Sequence, residues 1–286
     1  MLHIGTCSWK YPSWEGVVYS SAKGIDYLRE YAQKYDTVEV DQWFWSLFAG
    51  QQPKLPAVKD VREYRGAVPD TFRFTIKAPN SLTLTHYYQP KTASERNVND
   101  HFLSPSLWNQ FREKVAPLHD VGGPVIFQFE YLNRQKMASQ KQFLEKLGRF
   151  AENAGREWLI GIETRNGNYL NEALFSFLSE RRLVPVLLQG YWMPAVDKVY
   201  EKYRSLLHQA PAIIVRLHGP DRGSIEKETS GQWNRIVHDR GEELTAIARI
   251  SRDLLDAGID VYLNVNNHFE GSAPLTIDRL KALLQQ

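Results

Sequence analysis

Six stretches of this 286-residue sequence end in polar or charged residues spaced two apart: Glu39 and Asp41, Thr75 and Lys77, Gln128 and Glu130, Glu163 and Arg165, Arg216 and His218, Asn264 and Asn266. On an extended strand that spacing puts both members of a pair on one face. Carboxylates, guanidiniums, an amine and an imidazole gathered on one surface could carry out acid/base chemistry on a polar substrate. Glu39 and Glu163 are the candidate acid and base, since paired carboxylates are what glycoside cleavage uses. His218, followed by Gly219 and Pro220, is the third candidate catalytic residue, a proton shuttle by type and position. Lys77, Arg165 and Arg216 would bind a phosphate or carboxylate, with Arg as a two-pronged donor. Gln128, Asn264 and Asn266 add neutral hydrogen-bonding groups for substrate.

Each reading has a plain structural counterpart. Glu39, Asp41 and Glu163 nearly balance Lys77, Arg165 and Arg216, so the set could be an ion-pair network with no ligand. Asn264, Asn266 and Asn267, followed by Gly271 and Ser272, could hold a phosphate at a helix start, or could cap a strand-to-helix turn. The single cysteine, Cys7, forbids an internal disulfide. It would need a basic neighbour to act as a thiolate, and otherwise fills a strand position as a small residue. His86, His218 and His268 are the histidines near strand ends, and no HxH or HExxH spacing occurs. No cofactor is therefore expected; the donors would suit at most one loosely held Mg2+ or Mn2+, and a zinc cluster is not expected.

The elements that must carry these residues follow from hydrophobic period. Short β-branched and aromatic runs fall at 2–6, 37–41, 72–77, 124–130, 158–165, 184–189, 212–218 and 260–266. Helical patterns fall between them at 25–35, 57–64, 106–118, 139–153, 172–181, 196–209 and 241–257, and a last one at 274–284. Eight strands strictly alternating with eight helices predict a parallel sheet, and eight is the number at which such a sheet closes into a TIM barrel. An open doubly wound sheet is the alternative, but GTCSWKYPSW after the first strand is not a glycine-rich phosphate turn. No repeat or linker divides the chain, so residues 1–286 are expected to form a single (β/α)8 domain. The connections after strands two and three are unusually long, and both leave C-terminal strand ends, where barrel enzymes build their sites.

In six of the eight strands, parity gives an apolar face toward the helices and a face that is polar only near its C-terminal end. Ile214 and Tyr262, further upstream, are expected to fill the barrel floor. Charge inside a barrel is costly unless paired or hydrated, so a polar mouth is predicted. Of 13 Phe, 14 Tyr and 8 Trp, a group including Trp9, Trp14, Trp43, Phe44, Trp45, Tyr87, Tyr88, Tyr191 and Trp192 falls just after strands one, two, three and six. These predict an aromatic rim on which Trp9 and Trp43 would stack a substrate, or else a hydrophobic lid.

Charge and composition limit the partners. The 35 basic and 33 acidic residues leave a net charge of +2, which gives no strong field for nucleic acid. The opening MLHIGTCSWKY carries no basic stretch followed by an apolar one, so no signal peptide is expected. No apolar run is long enough to span a bilayer, and a cytoplasmic protein with no membrane partner is the expectation.

The chain resembles the DUF72 (YecE-like) family of TIM-barrel proteins. The resemblance is carried by IGTCSW at 4–9, TVEVDQWFW at 37–45, FTIKAPNSLTLTH at 74–86, FQFEYL at 127–132, IETR at 162–165, VRLHG at 215–219 and LNVNNHFEGSAP at 263–274. It implies the barrel and no particular reaction. The family's usual Asn-Ser-x-Phe-Tyr is replaced here by Asp41-Gln42-Trp43-Phe44-Trp45, and its Leu-Pro-Pro by Phe129-Glu130-Tyr131; both changes alter the mouth.

Three functions stay open on this reading. The first is an enzyme (a hydrolase, lyase or isomerase) acting at the mouth on a small polar or anionic, sugar-like or sugar-phosphate-like substrate. The second is a nucleic-acid protein that stacks a base or abasic sugar on the aromatic rim. The third is a non-catalytic binding module. Sequence leaves the oligomeric state open.

Overall fold

Parallel strands pair in chain order from β1 to β8, and β8 returns to pair with β1, closing the barrel expected from the alternation. The computed structural model describes residues 1–47, 52–88 and 97–286. The strands are β1 (Leu2–Cys7), β2 (Thr37–Val40), β3 (Arg73–Lys77), β4 (Gly122–Gln128), β5 (Ile160–Glu163), β6 (Val184–Gly190), β7 (Ala212–Gly219) and β8 (Asp260–Val265). The helices are α1 (Tyr27–Lys34), α2 (Val58–Ala67), α3 (Pro105–Val115), α4 (Gln140–Asn153), α5 (Glu172–Glu180), α6 (Val196–Leu207), α7 (Arg222–Thr229), α8 (Gly241–Asp256) and α9 (Ala273–Leu284). The short α7 lies between β7 and α8, where no helix was expected. Its sequence RGSIEKET buries little beyond Ile225 and Thr229, so it carries almost no apolar stripe to read. The two long connections pass through residues outside the described ones and are seen only on either side.

Two apolar layers hold the barrel. Outward strand residues (Val38, Phe74, Phe127, Val215 and Leu263 among them) join the helices in one continuous core. Phe127 packs on Trp108 at 5.3 Å and on Phe150 at 5.2 Å, and the Trp108 indole donates to the Ala154 carbonyl at 2.8 Å. Much of the aromatic excess is spent here. Burying such a side chain stabilises by about 1.5–3 kcal/mol. The second layer lies inside the barrel: Ile126, Val184, Val186, Ala212, Ile214 and Tyr262 form a separate buried cluster. The His3 ring stacks on Tyr262 at 4.7 Å. Ile214 and Tyr262 thus fill the floor as parity predicted, and the charged residues lie above it.

Closure leaves no room at one inward position of β1. A Cβ on Gly5 would lie 1.9 Å from the Thr37 carbonyl oxygen of β2. Gly5→Ala is expected to destabilise by about 1–3 kcal/mol through overpacking. The change should show as a lower urea midpoint at unchanged m-value; an unshifted midpoint would mean the two strands part freely.

Candidate active site

Above the apolar floor, the fully buried Arg216 of β7 organises the inward polar residues. Its Nε and Nη2 donate to the two oxygens of Glu39 on β2, at 2.8 and 2.7 Å. Its Nη1 donates to Glu163 Oε2 of β5 at 2.5 Å and to Gln128 Oε1 of β4 at 3.1 Å. Asn264 of β8 completes the set, its amide donating to Glu39 Oε2 at 3.0 Å and to Thr75 Oγ1 at 2.9 Å. One guanidinium therefore joins two carboxylates from opposite parts of the ring. Arg165, just beyond β5, brings Nη2 to 2.8 Å from Glu163 Oε1, an ion pair outside hydrogen-bond geometry. Burial alone would raise the Glu163 carboxyl, but Arg165 and Arg216 outweigh it and hold it below its usual range. Burial likewise works against the Arg216 charge and is overcome by Glu163 and Glu39.

A second tier sits on this floor. His218 has Nε2 3.7 Å from Cys7 Sγ and Nδ1 3.4 Å from the Tyr191 hydroxyl. Burial, then Arg216, Arg165 and Lys77, push its pKa well below the ordinary range, so it is a neutral imidazole. Cys7 is pushed the other way by burial and Glu39 and stays a thiol, which fits the plain reading of that residue. Asp41 is raised by burial and by Glu39.

Lys77 stands apart from the pairing. Its side chain is buried, and Nζ lies 3.8 Å from the centre of the Phe44 ring. Among the described residues it makes no ion pair or hydrogen bond, because Glu39 and Glu163 are taken by Arg216 and Arg165. Burial and Arg216 lower its pKa from 10.5 to about 8, against the opposing pull of Glu39, Glu163 and Asp41. The ring beneath it is fixed by local structure. Asn80, in a short turn after β3, donates its backbone N–H to the Phe44 carbonyl at 2.7 Å. The Asn80 side-chain oxygen accepts from the backbone N–H groups of Ser46 and Leu47, both at 2.9 Å. Asn80 was not singled out in the sequence. An Asn-Ser pair after a strand reads as an ordinary turn, and its partners lie 33–36 residues away.

Glu39, Lys77, Gln128, Glu163, Arg165, Arg216, His218 and Asn264 thus share the mouth as their spacing suggested. Two paired residues do not. Glu130 lies past the end of β4 and accepts from Thr85 and Lys136, tying the loops after β3 and β4. Asn266 lies past β8, and its side chain accepts from the His268 N–H at 2.9 Å. Asn267 caps the start of α9 at Ala273 N, 2.9 Å away. These two asparagines therefore serve the turn, the alternative given for them above.

The aromatic rim divides. Trp9 is buried against Tyr64 of α2, and half-buried Trp43 stacks on the same ring at 5.6 Å, so both form part of the wall. Trp14 and Phe44 are buried as well. Trp45, Tyr88 and Trp192 are exposed, Trp192 at 94%. Tyr191 faces inward, with the Arg165 guanidinium 4.9 Å from its ring centre. It holds a left-handed backbone at φ 52°, as does Ser8 at φ 69° after β1. Such strain costs about 1–3 kcal/mol and persists where the surroundings enforce it. Here the Tyr191 N–H is pinned to the Gly219 carbonyl at 2.8 Å and Ser8 N–H to that of Glu39 at 3.0 Å.

Among the described residues no group of three or more His, Cys, Asp or Glu side chains is arranged to hold a metal ion. No helix among them is long and apolar enough to cross a membrane.

Comparison with known proteins agrees with this architecture. No curated protein matches the chain. Among solved structures, a DUF72 family protein of Enterococcus faecalis V583 superposes with a TM-score of 0.70 at 18% identity, over 100% of this chain and 96% of its own. A DUF72 family protein of Thermotoga maritima MSB8 gives 0.69 at 18% identity over the whole of both chains. The family model described as "Protein of unknown function DUF72" matches residues 3–286, and the chain belongs to the DUF72 family.

Proposed function

We propose that the protein is an enzyme that moves protons on a small anionic, sugar-phosphate-like substrate held in the C-terminal mouth of the barrel. One observation carries this reading. A buried amine and a neutral imidazole, Lys77 and His218, lie in the mouth above the clamp of Glu39, Arg216 and Glu163. Proton transfer near neutral pH needs groups that can be found uncharged there, and these two meet the need. The carboxylates suit it less. Glycoside cleavage needs one carboxyl that keeps its proton, whereas Glu163 is held ionised and both acids share a single guanidinium. In our reading Glu39 and Glu163 hold charge in place, and lyase or isomerase chemistry fits better than hydrolysis. Arg165, 20% exposed and at the edge of the clamp, is the anion contact.

A panel of aldose and ketose phosphates and hydroxy acids, screened by thermal shift, tests this. A ligand at about 100 times its Kd stabilises by about 2.7 kcal/mol. Arg165→Met should stay folded, since Arg216 still holds Glu163, and should weaken that ligand about 10-fold, or about 1.4 kcal/mol. His218→Asn should retain binding and lose turnover. A panel without a single stabilising compound would overturn the proposal and favour a purely structural network.

A further inference from the structure

We propose that Lys77 is a covalent nucleophile, its amine condensing with the carbonyl carbon of a small hydroxyaldehyde or hydroxyketone bound in the mouth to give an imine. The inference deepens the reading above and rests on it.

A lysine built only for structure is paired. When buried it sits against a carboxylate, because an isolated ammonium away from water is costly. Two carboxylates lie in the tier beneath Lys77, yet Arg216 takes three of their four oxygens and Arg165 approaches the fourth. The amine is left on the face of Phe44, where a cation is tolerated and no hydrogen bond is formed. Asn80 ties down the backbone that carries that ring, so the seat of Nζ at the end of β3 is anchored to the neighbouring loop. Its lone pair is therefore not committed to another side chain.

The groups bearing on it come from several elements: Arg216 of β7, Glu39 of β2, Glu163 of β5 and Asp41 after β2. Desolvation and the Arg216 charge prevail, bringing the amine to about 8. At pH 7 about a tenth of it is then unprotonated, against roughly one part in 2,500 for an exposed lysine. This is the known route to an amine that forms Schiff bases.

The step balances without an oxidant or reductant. Neutral Nζ attacks the carbonyl carbon, the C–N bond forms, and the π pair moves to oxygen. One nitrogen proton passes to that oxygen to give a carbinolamine. A second proton leaves nitrogen as the hydroxyl departs, so one water is released and the C=N bond remains. His218 and Asp41, which bear on the mouth as an uncharged imidazole and a raised carboxyl, relay these protons.

Incubation of the full chain with glycolaldehyde or dihydroxyacetone phosphate plus sodium cyanoborohydride, followed by peptide mass spectrometry, tests the inference. One reduced adduct per chain is expected at Lys77, forming about 200-fold faster at pH 7 than at the exposed Lys59 and Lys198. The rate at Lys77 should level off above about pH 8. Lys77→Arg keeps the charge and should abolish the adduct; its thermal-shift response to the same phosphate should persist. Labelling of Lys77 no faster than of Lys59, with the phosphate still bound, overturns the imine alone. Neither labelling nor binding overturns the imine and the mouth reading together.

Discussion

Replacing Arg216 with methionine should destabilise the protein by about 3–5 kcal/mol, the cost of leaving buried charge without its partner. Arg216 makes two hydrogen bonds to Glu39 and one to Glu163, and all three side chains are buried. Without the guanidinium, the side-chain partners left among the described residues are Asn264 and Cys7 for Glu39, and Arg165 at the edge for Glu163. Urea denaturation should register the loss. Adding Glu39→Gln and Glu163→Gln to the same variant should recover much of it, because amides carry no charge to strand. The pH dependence has a definite sign. Glu163 titrates below its unfolded value, so its stabilisation is present above that value and is lost as pH falls through the folded one. The deficit of the single variant should therefore narrow in acid, where the orphaned Glu163 carboxylate takes up a proton. A loss under 1 kcal/mol at neutral pH would mean that water reaches the clamp.

Lys77→Met is expected to act in the opposite direction and stabilise the fold by about 3 kcal/mol at pH 7, the equivalent of the drop from 10.5 to about 8. Methionine matches the length of the chain, keeps the contact with the Phe44 ring and removes a charge that burial opposes. For a protein of this size that is a rise in Tm of order 5–10 °C. Between pH 8 and the unfolded value the native chain holds fewer protons than the unfolded one, so wild-type stability rises there. The advantage of Lys77→Met should thus be full below about pH 8 and gone near pH 10.5. Calorimetry of the two proteins across that window checks it. A variant less stable than wild type at pH 7 would show that the carboxylates hold Lys77 more strongly than burial opposes it. A gain on removing a residue from the candidate active site is the usual trade between stability and function.

The barrel was legible because period and parity are properties of single strands, and each strand carries its own record. Glu39, Glu163, Arg216 and Asn264 lie within strands, and there alternation correctly sends them inward. Past a strand end it held for Arg165, two residues beyond β5, and failed elsewhere. Glu130 and Asn266 follow the same spacing but sit on backbone that has already turned, so their side chains serve loops. Pairing was less legible still, since which carboxylate meets which guanidinium depends on side chains reaching across the ring. Nothing local to Lys77 shows that Arg216 will claim both glutamates and leave the lysine unpaired. Of the aromatic residues after strands, Trp9, Trp14, Trp43 and Phe44 pack inward, while Trp45, Tyr88 and Trp192 stay exposed. Their division into wall and exposed surface depended on Tyr64, which belongs to a helix read only for its period.

The Asn80 contacts link the loop after β2 to the loop after β3 through three backbone groups, those of Phe44, Ser46 and Leu47. Neither loop can then drift independently during divergence. An insertion near Ser46 would shift the seat of Lys77 as surely as a change at Asn80, and substitutions in the two segments should be non-additive. Variation in substrate between relatives should accordingly arise by joint replacement of both loops, or at Tyr191 and Trp192 across the mouth, where no such tether runs through the β3 turn. The barrel offers evolution fewer independent handles on this site than its eight loops suggest.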